Sequence, residues 1–146
     1  MVDIRVTFDD HGLANAFQKK GGEVNRQIDK LTGQLVDIAH RWVQGEAPRR
    51  TGRLKTAVQK QTYGSRGLVW LSKAIAPYWV FVIEGTRPHM IRARYKKALR
   101  IPGYGIFKSA RHPGTKANPF VDKAAVKMEG EINREIELFS KWLEDV

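Results

Sequence analysis

Two apolar stripes with helical spacing occupy opposite ends of this chain. The first recurs at intervals of three and four residues and comprises Val24, Ile28, Leu31, Leu35, Ile38 and Trp42. The second comprises Val121, Ala125, Met128, Ile132, Phe139 and Leu143. Such spacing puts side chains on one face of a helix, so each stripe predicts a long amphipathic helix with a buried face. Any fold for this chain must therefore bury one face of a long helix near each end.

Local signals suggest where these helices begin and end. The glycine pair at residues 21–22 predicts a break or kink before the first stripe, since glycine weakens a helix. That helix is expected to end near residues 44–45, because Pro48 follows and disfavours helix at the residue before it. Asn118 is expected to cap the last helix, with Pro119 in its first turn.

The first residues predict a short strand followed by a helix. Apolar side chains alternate with polar ones at Val2, Ile4, Val6 and Phe8, the pattern of a half-buried strand. Two acids then offer capping side chains, followed by apolar residues with helical spacing: Asp9 and Asp10, then Leu13, Ala16 and Phe17. A strand therefore leads into the first helix.

The middle of the chain is typical of sheet with long loops. Residues 68–71 form a compact apolar strand after a glycine-containing turn at 64–67, and residues 58–63 are its expected hairpin partner. Residues 90–94 and 98–101 predict a second strand pair. A loop punctuated by glycine and proline then follows this pair.

Residues 76–85 allow two interpretations. Pro77 in a first turn and Gly85 as a C-terminal stop favour a two-turn helix, whereas the apolar run also suits a buried strand. We favour the helix.

The chain of 146 residues, 42% apolar, suits one domain spanning residues 1–146. The predicted fold class is α+β, with long N-terminal and C-terminal helices packed on a small, mainly antiparallel sheet and a protruding basic loop.

Charge is strongly segregated along the chain. The net charge is +11, and residues 47–121 hold sixteen Lys and Arg but one acid, Glu84. A single-sign field attracts polyanions, which here means nucleic acid, an acidic partner or acidic parts of further copies of the chain. The last helix is expected to expose an acidic face formed by Glu129, Glu131, Glu135, Glu137 and Glu144. Contact between this face and the basic middle of a neighbouring subunit is a hypothesis that follows.

Residue content argues against several function classes. Without cysteine there is no disulfide, thiolate zinc site or cysteine nucleophile, and the chain suits a reducing compartment such as the cytoplasm. No phosphate-binding glycine motif or nucleophile-elbow serine occurs, and the four histidines lie far apart in sequence. We therefore expect no enzyme, no cofactor and no metal site. The longest apolar run, residues 74–83, is about half of what a membrane-spanning helix needs.

The segment of residues 87–116, called here the basic segment, is the main candidate for binding. It holds nine cations and no acid: Arg87, Arg92, Arg94, Lys96, Lys97, Arg100, Lys108, Arg111 and Lys116. Interleaved Tyr95, Tyr104 and Phe107 could stack on bases, so a nucleic-acid-binding protein is one interpretation. Solvation, or packing against acidic neighbours, is the other, because no established nucleic-acid-binding motif is present.

A set of spaced motifs resembles one protein family. The motifs are Ala47, Pro48, Arg49, Arg50, Thr51, Gly52, Arg53 and Leu54; then Tyr78 and an apolar run ending in Glu84, Gly85 and Thr86; then His89; then His112, Pro113, Gly114, Thr115, Lys116, Ala117, Asn118, Pro119 and Phe120. In order and spacing they resemble the neck or tail-completion proteins of long-tailed bacteriophages, the gene-ten-like family of lambdoid phages. The resemblance covers a little over half of the chain. One departure is that Glu84 directly precedes Gly85, where many relatives have an aromatic residue between the acid and the glycine.

The resemblance implies a structural virion protein assembled in the host bacterial cytoplasm. It implies a homo-oligomeric ring of six-fold symmetry that joins the tail to the head connector around the DNA channel, with head-connector, tail-tube or tail-terminator proteins and packaged DNA as partners. A tail terminator that caps the tail tube is an alternative within the same structural class. The motif residues are expected to set fold and subunit geometry: Thr51 as a cap, Gly52 with an unusual backbone angle, Leu54 as a core anchor, and Phe120 as a plug at the start of the last helix.

Overall fold

The computed structural model describes residues 4–6, 13–94 and 97–145, with side chains from residue 21 onward. The fold is α+β, as predicted. Its elements are β1 (Ile4–Val6), α1 (Leu13–Glu46), α2 (Arg53–Ala57), β2 (Val58–Tyr63), β3 (Arg66–Leu71), α3 (Trp79–Ile83), β4 (His89–Arg92), β5 (Leu99–Ile101), β6 (Gly105–Phe107), β7 (Ser109–His112) and α4 (Phe120–Glu144). They form two compact units: unit 1 contains β1 to β3, α1, α2 and α4, and unit 2 spans residues 80–119.

Helix α1 is the centre of unit 1. It buries the predicted stripe from Val24 to Ile38, whereas Trp42 at its end is only partly buried. It also buries Thr32, Val36, Ala39 and Val43. The buried surface is wider than one stripe because α1 packs against both α4 and the β2–β3 hairpin. His40 shows the sheet side of this packing, since its Nε2 lies 3.1 Å from the carbonyl oxygen of Val58.

The expected break at residues 21–22 is wrong, because α1 runs through both glycines without interruption. A helical glycine costs about 1 kcal/mol relative to alanine, and nucleating a separate helix is unfavourable in its own right. Val24 and Ile28, one and two turns further on, are buried and packed against Phe139, Trp142 and Leu143. This packing favours a continuous helix. The predicted end is confirmed, since α1 stops at Glu46.

Helix α4 lies antiparallel to α1. Lys127 pairs with Glu46 at 2.6 Å, Trp42 donates to Glu131 at 2.9 Å, and Gln34 donates to Glu135 at 3.3 Å. As the residue number rises along α4, the number of the α1 residue that it contacts falls. The two helices therefore run in opposite directions.

Three predictions about α4 need correction. Glu131 and Glu135 do not lie on a free acidic face, because they contact α1 and are half-buried. Ala125 is exposed and Ala124 is buried in its place, so the stripe is displaced by one residue near the start of the helix. Pro119 immediately precedes the helix instead of lying in its first turn.

The sheet of unit 1 has strand order β1-β3-β2 and is antiparallel. The predicted hairpin of β2 and β3 is confirmed, with Val58 opposite Leu71 and Tyr63 opposite Arg66. Gly67 lies where β3 closely approaches α1, because a Cβ added there would stand 2.1 Å from the Cγ2 of Val36. A side chain at this position would push the sheet away from the helix.

Two strands of unit 2, β4 and β5, lie close to where they were expected, but the segment predicted as a loop after them contains two further strands, β6 and β7. The two strands predicted to pair with each other, β4 and β5, instead pair with β7 and β6 respectively. The segment of residues 76–85 contains a helix, α3, in agreement with our preference, but the helix covers only Trp79–Ile83 and Pro77 lies before it. Gly85 follows α3 with φ of +74°, the left-handed conformation that ends helices.

Some sequence predictions lie outside the described residues. They concern Val2 and Phe8 of the first strand, the caps Asp9 and Asp10, and Tyr95 and Lys96 in the basic segment. Among the helices that the structure describes, none combines the length and apolarity required to cross a lipid bilayer.

Candidate interaction surface

Two of the resemblance motifs meet in unit 2. Thr86 and Thr115 form an antiparallel bridge in which the Thr86 N–H donates to the Thr115 carbonyl at 2.9 Å and the Thr115 N–H donates to the Thr86 carbonyl at 3.0 Å. The Thr115 N–H also lies 2.9 Å from the Thr86 hydroxyl oxygen. Nearby, the Asn118 N–H donates to the Val82 carbonyl at 2.9 Å. Motifs about thirty residues apart in sequence thus form one joint.

Glycine is required on both sides of this joint. Gly85 has φ of +74°, and a Cβ there would stand 2.5 Å from the Thr115 carbonyl oxygen. Gly114 has φ of +92°, and a Cβ there would stand 2.3 Å from the Thr86 carbonyl oxygen. Because the obstructing atoms are backbone, they cannot rotate away as a side chain would. The Gly-Thr pairs are therefore architectural residues, as the sequence predicted.

The bridge continues into the β4–β7 strand pair, which begins with two histidines. His89 lies opposite His112, and their rings are stacked with centroids 5.0 Å apart and an interplanar angle of 29°. The Nδ1 of His112 accepts the Gly114 N–H at 3.0 Å, and the Nδ1 of His89 lies 2.8 Å from the Arg87 carbonyl oxygen. These bonds tie both rings to the loop backbone on either side of the strand pair.

The β5–β6 hairpin presents apolar side chains to solvent. Pro102 and Gly103, with φ of +83° at Gly103, make the turn, and the Tyr104 N–H donates to the Ile101 carbonyl at 3.0 Å. Tyr104 is 80% exposed and Ile106 72% exposed. A cavity of about 510 Å³ lies beside the hairpin and is lined by Ile101, Tyr104, Phe107, Ser109, Ala110, Arg111, His112 and Pro113.

The basic segment that contains this hairpin is also rich in cations. Every predicted cation that the structure describes is exposed: Arg87, Arg92, Arg94, Lys97, Arg100, Lys108, Arg111 and Lys116. Arg92 and Arg111 project from the same face of the β4–β7 pair. Arg111 lies directly opposite Met90, and Arg92 lies two residues after Met90 on the same strand. Residues 80–119 carry nine Lys and Arg against Glu84 alone, a formal charge of +8. Unit 2 is therefore a strongly cationic body.

The remaining motif residues lie mostly outside this cationic surface. Thr51 is not the cap of α2, because Gly52, with φ of +74°, occupies the N-cap position without a side-chain cap hydrogen bond. The Thr51 hydroxyl oxygen instead lies 3.4 Å from the Arg53 backbone nitrogen, across the turn that precedes the helix. The predicted core anchors are confirmed: Leu54 is buried, and Phe120 is fully buried at the start of α4. Three further motif residues have simple placements: Tyr78 is partly exposed before α3, Glu84 is exposed, and Pro113 follows β7.

Unit 1 offers a contrasting groove between α1 and α4. The groove encloses about 320 Å³ and is lined by Gln27, Lys30, Leu31, Gln34, Glu135, Leu138, Phe139 and Trp142. The rings of Phe139 and Trp142 are stacked with centroids 5.8 Å apart. Leu138 is 52% exposed at its edge. The lining combines four apolar side chains with two glutamines, one carboxylate and one ammonium group, so the groove can accept an apolar side chain between polar walls.

Hydrogen bonds organise the carboxylates beside this groove. Trp42 Nε1–H donates to Glu131, and Arg41 also donates to it, so the pKa of the Glu131 carboxyl is held below its usual range. On the solvent side of α4, Lys141 pairs with Glu137 at 2.9 Å, lowers the pKa of that carboxyl and has its own pKa raised in return. These glutamates are thus held in their charged form.

Sequence reasoning missed the histidine stack, the exposed hairpin tip and the α1–α4 groove. The turn residues Pro102 and Gly103 could have indicated that β5 folds back on the residues immediately after it. The histidine stack had no such signal, because it depends on the register of β4 against β7. In the part of the chain that the structure describes, no cluster of three or more His, Asp or Glu suited to a metal ion is found.

Searches for similar proteins give no match to this chain among protein-family models, curated proteins or solved structures.

Proposed function

We propose that this chain is a structural protein of the neck of a long-tailed bacteriophage, which assembles into a ring joining the tail to the head connector around the DNA channel. The motif resemblance suggests this role. The observation that carries it is the separation of charge between a cationic unit 2, at +8, and a carboxylate-rich α4 in unit 1. A ring needs two different surfaces that fit each other, because its subunits contact head to tail.

The joint formed by the resemblance motifs supports the same role. The Thr86–Thr115 bridge and its two positive-φ glycines fix the base of the cationic strand pairs by backbone hydrogen bonds. A rigid base is what a subunit requires if its exposed strands are to meet a neighbour in one geometry. The motifs therefore have a function in positioning the surface, with no need for chemistry of their own.

Two tests address the proposal in solution. Light scattering at moderate salt should give the mass of a ring, and six chains of 16.6 kDa correspond to about 100 kDa. Negative-stain images of that species should then reveal a central opening. A monomer that remains single at every concentration and binds no DNA would count against the ring, unless a partner ring restores assembly when both are mixed.

A tail terminator has the same solution behaviour and differs in which ring it touches, so the two roles are distinguished by mixing the purified ring with heads or with tails. A ring at the head-tail junction should bind DNA-filled heads. Binding to free tail ends alone would favour the tail-terminator role.

A free nucleic-acid-binding protein is the second candidate, favoured by exposed Tyr104 on a hairpin whose sequence also carries exposed Arg100 and Lys108. Its signature is different. The chain would bind duplex or single-stranded DNA as a monomer, with affinity falling steeply as salt rises, because phosphate contacts release counterions. Strong salt-sensitive binding by a monomer would therefore replace the neck proposal.

A further inference from the structure

We propose that the β5–β6 hairpin of one copy of this chain docks into the α1–α4 groove of a second copy. This inference rests on the ring assembly proposed above and identifies the two surfaces that meet in it. The occupant of the groove is thus another copy of the same protein, and the contact is heterologous, since a hairpin meets a groove and not another hairpin.

The β5–β6 hairpin exposes the kind of apolar side chains that insert into a groove on a partner. Tyr104 and Ile106 are 80% and 72% exposed, and Phe107 is 41% exposed. Three large apolar side chains within four residues are unusual on a free surface and mark an interaction site. The Pro102-Gly103 turn and the β5–β6 backbone pairing restrict the hairpin, so little conformational entropy is lost when it docks.

The groove supplies the complementary apolar surface. Leu31 of α1 and the stacked Phe139 and Trp142 of α4 contribute to its lining, and Leu138 stands 52% exposed beside them. A cavity of about 320 Å³ is at the lower end of the size range of ligand pockets and can hold one large side chain with part of its neighbour. Aromatic anchors in such pockets supply most of the energy of many interfaces.

Charge favours this pairing over hairpin-to-hairpin contact. Residues 80–119 have a formal charge of +8, so two hairpin units repel each other. Residues 129–145 hold six acids and two bases, a formal charge of −4, and Glu135 lines the groove. The cations closest in sequence to the exposed tip are Arg100 and Lys108, which would approach this acidic end of α4. Lys30 also lines the groove, and it does not reverse the sign of the region.

A second copy fits these observations better than a nucleic acid does. A nucleic acid would neutralise the cations of unit 2, yet the phosphates would be repelled by the acidic end of α4, leaving the groove uncovered. A second copy covers both exposed apolar surfaces at once. Repetition of the same hairpin-to-groove contact then builds a closed ring when the rotation between copies divides a full turn.

The cysteine-free sequence allows a clean cross-linking experiment. Two full-length variants, I106C and L138C, are purified separately, mixed at the concentration at which the wild-type chain is oligomeric, and oxidised. We expect disulfide-linked dimers in the mixture and not in either variant alone, because the contact joins position 106 of one copy to position 138 of another. The double variant I106C/L138C should give a ladder of multimers on a denaturing gel.

A matched control uses the same helix. Val126 is a 73% exposed aliphatic residue of α4 outside the groove lining. The mixture of I106C with V126C should therefore remain monomeric on the denaturing gel. Cross-linking with V126C as strong as with L138C, cross-linking of either variant alone, or a wild-type chain that is monomeric even at millimolar concentration would each overturn the inference.

Failure of this contact and failure of the neck role give different results. A ring by light scattering and electron microscopy without the 106–138 cross-link overturns the contact and leaves the neck proposal in place. The 106–138 cross-link in a ring that binds neither heads nor tails retains the contact and overturns the neck proposal. Loss of DNA binding in I106A and Y104A with unchanged oligomeric mass would assign the hairpin to nucleic acid and overturn the contact.

Discussion

Thr86 and Thr115 face each other across an antiparallel bridge and exchange both of their backbone hydrogen bonds, at 2.9 and 3.0 Å. The residue immediately before each threonine is a glycine with positive φ. The bridge joins the end of α3 to the segment that precedes α4, so it closes the two ends of unit 2 on each other.

We expect G114A to destabilise unit 2 by at least about 2 kcal/mol, from left-handed strain plus the contact of the new Cβ with the Thr86 carbonyl oxygen at 2.3 Å. Hydrogen exchange of the Thr115 amide measures this loss directly. G103A is the matched control: Gly103 has φ of +83° with no atom within 4 Å of an added Cβ, so it tests strain alone, at about 1–2 kcal/mol. Equal costs for the two variants would show that the close approach at Gly114 is unimportant.

The approach of β3 to α1 predicts a destabilising substitution with a defined rescue. G67A places a Cβ 2.1 Å from the Cγ2 of Val36 and should cost about 1–3 kcal/mol in urea unfolding, as overpacking does. V36A removes the obstructing methyl groups. The double variant should therefore be more stable than the sum of the two single effects predicts, by about 1 kcal/mol. Strict additivity would contradict the contact.

A buried hydroxyl in α1 predicts a stabilising substitution. Thr32 is 1% exposed, and its Oγ1 has no hydrogen-bond partner among the described residues. T32V keeps the shape and removes the unpaired polar atom, which should stabilise the chain by about 1 kcal/mol and raise Tm by about 3 °C. The exposed strand residue Thr62 provides the control, since T62V should leave Tm nearly unchanged. A lower Tm for T32V would imply a hydrogen-bond partner for the hydroxyl.

Glu131 predicts a loss of stability in acid. Because the Trp42 and Arg41 hydrogen bonds hold the pKa of its carboxyl below the usual range, the unfolded chain binds a proton more readily than the folded chain. The stabilisation is present above the pKa of the unfolded state and is lost as the pH falls through the lowered pKa of the folded state. E131Q should therefore flatten the acid limb of the urea midpoint plotted against pH. E129Q, on the exposed face of α4, is the control, and an equal flattening there would contradict the assignment.

Features set by neighbours in sequence were predictable for this chain. Helices α1 and α4 follow from apolar intervals of three and four residues, the β2–β3 hairpin from its glycine turn, and the end of α3 from Gly85. Each of these depends on residues only a few positions apart. Burial of Leu54 and Phe120 was also predictable, because leucine and phenylalanine side chains are among those most often buried in folded proteins.

Tertiary structure alone decided the rest. Whether β4 pairs with β5 or with β7 depends on the Thr86–Thr115 bridge, which fixes a register between residues far apart in sequence. Whether Glu131 faces solvent or α1 depends on where the second helix packs, and the helical period leaves that choice open. Gly21 and Gly22 remain helical because packing further along α1 outweighs their local cost. Sequence periodicity therefore determined the elements, while long-range packing determined their partners and thereby the side chains that each unit exposes.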